Sequence, residues 1–474
     1  MHNRNIKKYI LYSAFFLLAL FILLIFYITY LQTVKSDALA NHPLNRRAAE
    51  IEEHVQRGMI LDATGRKIAY TEKTADGFRR RYPLAAVTAP VTGYVGKTIG
   101  NAGIEGYANG DLVGITDSWH KFGPISQLFA SDKGNNVQLT VDASVQKAAY
   151  AALGNRRGAV VVLDSRTGAV LAMVSRPSFD PNTIEENWDH LQNAADSALL
   201  NRAAQGLYPP GSILKTMITD AALKENVTDS SEIFECPGYL KVGSNYTLYE
   251  SHHEVHGKVD LKEALTVSCN VTFGTLALRL GADKLENTFD RFGFKKKLDN
   301  EIGEAPIQLP NFKQLSDGEI SQVGIGQSTV LVTPLRMAML AAAFDNHGVI
   351  MQPYIIDKII SPNGVIIKKS QAQKWLEVTT ADRAQLIKGY MKNVVMAGTG
   401  RSAAVSGIDV IGKTGTAENS GGEDHAWFIG AAALPQRDIA FAIVVENSGG
   451  GGTEAAPIAR QIIKNILDNE EVSP

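Results

Sequence analysis

Three short stretches of this chain carry residue types that can together run an acyl transfer: Ser212-Ile213-Leu214-Lys215, Ser268-Cys269-Asn270 and Lys413-Thr414-Gly415-Thr416. A serine hydroxyl attacks a carbonyl only once a base takes its proton. In the first stretch the serine opens a helix and Lys215 follows one turn later on the same face, so the pair meets without long-range assembly. The lysine is a base only when neutral. Burial and a second cation, Lys413, both disfavour its charged form. The helix start offers backbone N–H groups to a developing oxyanion. Pro209-Pro210-Gly211 supplies the entry, since proline cannot continue a preceding helix and glycine permits a tight turn. Ser268 can relay a proton, and Asn270 can hold Lys215 or a substrate amide. Lys413-Thr414-Gly415 fits an edge strand, where Gly415 lets a substrate backbone lie close and Lys413 meets a carboxylate.

Each pattern recurs by chance, and this chain contains decoys. Ser144-Val145-Gln146-Lys147 repeats S-x-x-K, Ser361-Pro362-Asn363 repeats S-x-N, and Lys97-Thr98-Ile99 misses K-T-G by one residue. Ser144 sits in an ordinary amphipathic helix without a Pro-Gly entry, and Ser361 sits in a Pro-Asn-Gly turn. Order, spacing and flanks single out Ser212: Ser268 follows it by 56 positions and Lys413 follows by a further 145. His252-His253-Glu254-Val255-His256 is not H-E-x-x-H and is expected to be a polar loop. Gly421-Gly422 and Gly449 to Gly452 lack the residues of a P-loop and are expected to be mobile rims near the third motif. Glu423-Asp424 reads as a solvated loop and Trp427 as core. No metal site and no cofactor is expected.

These residues need a scaffold. From Asn136 the pattern is α/β. Ser144–Leu153 has helical spacing, and Gly158–Asp164 and Ala169–Ser175 read as a strand pair joined by the turn Ser165-Arg166-Thr167-Gly168. Three further strands are expected at 409–416, 426–432 and 439–446, followed by a closing amphipathic helix at 458–468. Strands at both ends of the segment imply one sheet built from distant pieces, with a helical lobe between. Residues 32 to 135 are rich in breakers and short strand-like pieces, and read as a small, mostly β module.

The 474 residues, 45% hydrophobic and 20% charged, exclude a disordered chain and a polytopic membrane protein. Forty-seven basic against 49 acidic residues give a net charge of -2, so no nucleic-acid partner is indicated. Two cysteines, Cys236 and Cys269, exclude a disulfide framework and a four-cysteine zinc site, and leave one optional disulfide. Tyr9 to Tyr30 contains no charged side chain and spans about 33 Å as a helix, roughly a bilayer core. The length favours an uncleaved anchor over a signal peptide. Arg4, Lys7 and Lys8 place the tail (1–8) in the cytoplasm, the transmembrane helix at 9–31 and the rest outside. The run at 338–344 is too short to span.

The motif set, with its flanks, resembles a class B penicillin-binding protein, a membrane-anchored D,D-transpeptidase that cross-links peptidoglycan. Asn45-Arg46-Arg47, Arg57-Gly58-Met59-Ile60-Leu61-Asp62 and Gly103-Ile104-Glu105 resemble the family's membrane-proximal pedestal. Leu200-Asn201-Arg202-Ala203 resembles the approach to the nucleophile. His256-Gly257 through Asn270, and Lys413 to Glu418 with Ala426-Trp427-Phe428, resemble the second and third motif regions. The resemblance implies a pedestal at 32–135 and, at 136–474, a transpeptidase domain of serine β-lactamase-like α/β fold, with an antiparallel sheet flanked by helices. It implies Ser212 as acylated nucleophile and Lys215 as general base. Ser268 and Asn270 become relay and partner. Lys413, Thr414 and Thr416 bind the terminal carboxylate beside Gly415, and the N–H groups of Ser212 and Thr416 form the oxyanion hole. The sequence departs from the family pattern in Cys269, where aspartate is usual, and in a short pedestal.

By the same resemblance the substrates are peptidoglycan stem peptides, β-lactams acylate the same serine, and a polytopic membrane glycosyltransferase is the partner. A β-lactamase or penicillin-sensing receptor shares the nucleophile machinery. The anchor and pedestal are unnecessary for hydrolysis, and the tail of about eight residues leaves no room for a signalling domain. A non-catalytic scaffold is opposed by the intact Ser212, Lys215 and Lys413. About 100 residues between anchor and α/β domain are too few for a second catalytic domain.

Overall fold

The computed structural model describes residues 2–35, 55–75, 77–114, 132–419 and 421–472. Asn45-Arg46-Arg47 lies outside these described residues. The N-terminal apolar run forms helix α1 (His2–Thr33), whose stretch Ile6–Leu31 is long and apolar enough to cross a membrane. Within it the Ser13 and Thr29 hydroxyls donate back to the carbonyls of Tyr9 and Ile25, 2.9 and 2.8 Å away, which satisfies both without water.

The next module builds β1 (Ile60–Leu61), β2 (Lys67–Thr74) and β3 (Gly77–Arg81), with three helices of four or five residues between 89 and 112. Two sequence blocks that lie far apart meet here. Glu105 is fully buried, 2.6 Å from the Arg57 guanidinium and 2.7 Å from that of Arg80. Burial alone would raise its carboxyl pKa, but the two cations hold it below the ordinary value.

Strand β4 (Asn136–Leu139) pairs in parallel with β1. On its other side it pairs with β7 (Ile356–Ile360), itself joined to β8 (Ile366–Lys369). One six-stranded sheet, ordered β8-β7-β4-β1-β2-β3, therefore runs from this first module into the larger α/β part.

The second sheet positions the chemistry. It is antiparallel, ordered β9-β10-β11-β5-β6, from β5 (Gly158–Asp164), β6 (Val170–Arg176), β9 (Asp409–Ala417), β10 (His425–Ala433) and β11 (Asp438–Val445). Strands from both ends of the segment do form one sheet. Strand β5 is apolar up to its last residue, Asp164, and both its faces are covered. Its Ala159, Val161 and Leu163 face a core with α3 (Lys215–Lys224), α4 (Asn270–Arg291) and α5 (Pro334–Asp345). Its Val160 and Val162 face a second core with α2 (Ala143–Leu153) and α6 (Ala455–Val472). Helix α2 starts where the Asp142 carboxylate accepts the Ser144 N–H. Helix α5 starts at Thr333, whose hydroxyl accepts the Arg336 N–H, with Pro334 in the first turn. Helix α5 is buried along its whole length, which explains the apolar run at 338–344 as central core.

Candidate active site

Ser212 lies on a 3-10 turn, Gly211–Leu214, that leads directly into α3, and Lys215 is the first residue of that helix. The turn is possible because Gly211 takes φ +59°. A Cβ there would stand 2.7 Å from the Thr416 carbonyl oxygen. Its N–H donates to the Gly326 carbonyl at 2.8 Å. The Ser212 turn is thus pressed against β9, an edge strand of the sheet, with Gly415 opposite Pro210 and Ile213. Behind it Trp427, fully buried, donates its indole N–H to the Pro209 carbonyl at 3.0 Å. Ser212 is half-buried, and Lys215 and Lys413 are fully buried.

The Lys215 ammonium donates to the Ser268 carbonyl (2.6 Å), the Asn270 side-chain oxygen (2.7 Å) and the Ser268 hydroxyl (3.3 Å). Lys413 donates to the same hydroxyl at 2.8 Å and to the Thr414 carbonyl at 2.9 Å. Ser268 is held at φ +64°, a left-handed conformation of the kind that concentrates at functional sites. Thr416 is exposed at the end of the strand. Thr414 is buried, with its hydroxyl 2.5 Å from that of Thr399.

Burial pushes the Lys215 pKa down to about 8, against an opposing pull from the Glu250 carboxylate. Burial also drives Lys413 well below its ordinary value, and the Lys215 charge adds to that. The repulsion expected between the two amines therefore weighs on Lys413.

The sequence patterns missed Glu250, which belongs to no motif. It is buried, and its carboxylate accepts the N–H groups of Asn270 (2.8 Å) and Val271 (2.7 Å) at the start of α4. Burial would raise its pKa; the Lys215 charge and these N–H groups lower it. Both thiols also point at it, Cys269 at 3.1 Å and Cys236 at 3.3 Å, and both cysteines are free. His256 departs from the expected polar loop: it is half-buried, with Nδ1 3.5 Å from the Cys236 sulfur. Two sulfurs, a carboxylate and an imidazole are the side chains here that could hold a metal.

The decoys stand elsewhere. Ser144 binds the helix cap Asp142, the Ser361 hydroxyl accepts the Val365 N–H at 3.0 Å, and the Lys97 N–H donates to Glu185. The glycine run at 449–452 is more than a rim. Gly451 is buried, and a Cβ on it would stand 2.5 Å from the Gly415 carbonyl oxygen.

Comparison with known proteins agrees with this geometry. Residues 158–464 match the penicillin binding protein transpeptidase domain, and residues 57–137 match the penicillin binding protein A dimerisation domain. Peptidoglycan D,D-transpeptidase PbpA of Mycolicibacterium smegmatis is 32% identical over 95% of this chain and 97% of its own length. MrdA of Haemophilus influenzae, also a peptidoglycan D,D-transpeptidase, is 32% identical over 82% of this chain and 70% of its own. Penicillin-binding protein A from M. tuberculosis, solved as a ceftriaxone acyl-enzyme complex, superposes with a TM-score of 0.82 at 30% identity, covering 88% of this chain and all of that one. With its matching domains, full-length relatives and shared fold, the chain belongs to the class B penicillin-binding proteins, the serine acyl-transferases of the peptidoglycan D,D-transpeptidase family.

Proposed function

We propose that this chain cross-links peptidoglycan stem peptides through an acyl-enzyme on Ser212. Neutral Lys215 takes the Ser212 proton, and the serine oxygen attacks the carbonyl of the penultimate D-Ala. The tetrahedral oxyanion rests on the N–H groups of Ser212 and Thr416. Terminal D-Ala leaves with a proton delivered through Ser268, and an amine of a neighbouring stem resolves the ester. The energy of the broken amide is kept in that ester, so no nucleotide is required. Lys413 binds the terminal carboxylate, with Thr414, Gly415 and Thr416 lining its strand, and Asn270 holds Lys215. The observation that carries this reading is the contact of Lys215, Ser268 and Lys413 beside the Ser212 turn. β-Lactams, which imitate the dipeptide, acylate the same oxygen.

The apolar helix α1 fits a membrane anchor. We further read the N-terminal tail as cytoplasmic, the catalytic part as external, and the membrane-proximal module as the dock for a polytopic glycosyltransferase. Labelling the full chain with a reporter penicillin and mapping the modified peptide tests the reading. A long-lived adduct on Ser212, absent from Ser212→Ala, is expected. An adduct on another residue would overturn it, and rapid turnover of the adduct would mark a β-lactamase instead.

A further inference from the structure

His425 belongs to no motif, and no step of the proposed mechanism uses it. It is nevertheless buried at the head of β10, paired with Ala417, the residue that follows the third motif on β9. Its Nδ1 accepts the Asn447 N–H at 3.1 Å, so the ring is neutral and carries its proton on Nε2. Beside it the Asp424 carbonyl accepts the N–H groups of Ser448 (2.9 Å) and Gly449 (3.0 Å). Asn447 itself is held at φ +48°, a left-handed conformation that is costly for a residue with a Cβ.

This contact anchors the near end of the turn 447–452. The far end is anchored by the Gly451 carbonyl, which accepts the N–H groups of Ala455 and Ala456 at the start of α6. Between the two anchors the turn lies against the third motif. A Cβ on Gly451 would stand 3.0 Å from the Gly415 nitrogen, and one on Gly452 would stand 2.5 Å from the carbonyl of Thr399, whose hydroxyl meets that of Thr414. We propose that neutral His425 is a positioning residue for the third motif: it pins the turn 447–452 against the Gly415 backbone, and a proton taken up by the ring releases that pin.

Protonation puts an N–H opposite the Asn447 N–H, and the bond between them is lost. The groups that face the ring are Glu446, which follows β11, Asp424 on the approach to β10, and Tyr208, whose ring lies edge-on at 5.6 Å between centroids. Glu446 already accepts from Arg202, Arg157 and Tyr208, so much of its charge is spent on them. Burial opposes the pull of Glu446 and Asp424 and holds the His425 pKa below its ordinary 6.5. The pin is therefore in place at neutral pH and lost on acidification. The inference rests on the acyl-enzyme reading of Ser212, because the strand it steadies carries Lys413 and the Thr416 N–H.

The test follows acylation of the full chain in detergent by a reporter penicillin from about pH 5 to 9, with the adduct mapped to its residue. In the parent the logarithm of the rate should fall with a slope of about one as Lys215 takes a proton, and steepen to about two where His425 takes another. His425→Asn sets an amide oxygen where Nδ1 stood, and that oxygen does not titrate, so its slope should stay at about one. His425→Phe keeps the ring against Tyr208 without the acceptor and should slow labelling by about 10- to 100-fold at every pH. His425→Asn should recover most of that loss, and a thermal melt of each variant shows that it is folded. Hydrogen exchange in the peptide that carries Asn447 to Gly452, corrected for its intrinsic pH dependence, should rise in the parent over the same acid range and needs no variant. A parent slope that stays at about one, unchanged protection of that peptide, or a His425→Asn profile as steep as the parent's would overturn the proposal and leave the acyl-enzyme reading standing. An adduct on a residue other than Ser212 would overturn both.

Discussion

The Ser268 hydroxyl stands 2.8 Å from the Lys413 amine and 3.3 Å from the Lys215 amine, so one oxygen bridges two fully buried lysines. Neither nitrogen needs to move far for a proton to cross. Replacing Ser268 by Ala removes that bridge and keeps both amines. Acylation by a reporter penicillin should fall by about 100- to 1000-fold, the usual weight of a positioned proton carrier. The melting temperature should change little. Stopped-flow labelling beside a thermal melt measures both, and an unaltered rate would remove Ser268 from the relay.

The low pKa of Lys215 fixes the direction of the pH profile. In the proposed mechanism its neutral form is the base, so the acylation rate should rise with pH along a limb centred near 8 and level off above it. Stability follows the same direction. Between about 8 and the ordinary 10.5 the unfolded chain holds a proton on this amine that the folded chain has released, so stability from this group grows with pH across that window. Glu250→Gln removes the charge that opposes the shift and should move the limb to lower pH. Rates of penicillin labelling from pH 6 to 10 decide it; a limb that stays in place would deny Glu250 that influence.

Gly211→Ala should be costly out of proportion to one methyl group. The residue sits at φ +59°, and the added carbon meets the Thr416 carbonyl at 2.7 Å. The strain is about 1–3 kcal/mol. It falls where the Ser212 turn touches the strand that carries Thr416, so acylation should drop together with stability. A chemical-denaturation curve and a labelling rate on the same sample test this, and a variant as stable and as fast as the parent would refute the packing argument.

Behind the same turn, Glu446 accepts from the buried Arg202 at 2.8 Å and from the Tyr208 hydroxyl at 2.7 Å. Glu446→Ala leaves a guanidinium buried without its counter-charge, a loss of about 3–5 kcal/mol. Arg202→Met with Glu446→Leu removes both charges and should recover most of it. Paired denaturation curves measure the difference, and equal losses in the single and double variants would count against the ion pair as the cause.

The second sheet was legible in the sequence because four of its five strands are largely apolar runs of seven to nine residues bounded by turn signals, as at Gly158–Asp164 and His425–Ala433. The three motifs were legible because order and flanks separate Ser212 from Ser144. Glu250 was not, since its role depends on the hairpin before it folding back onto the start of α4, a contact that no local pattern records. The opposing pull of a carboxylate on Lys215 was likewise hidden, because spacing does not place Glu250 beside it. The sheet that crosses from the first module into the second left only weak marks, as β1 is two residues long and its partners come from position 136 and, one strand further on, from 356.

That crossing ladder has a mechanical consequence. Strand β4 is hydrogen-bonded to β1 on one flank and β7 on the other, and the Thr140 hydroxyl just beyond it donates to the Val170 carbonyl of β6 at 2.8 Å. Load on the first module therefore passes into the second sheet through the backbone pairing of β4 and the Thr140 side chain just beyond it. That load enters at β6, one edge of the sheet whose opposite edge, β9, carries Lys413.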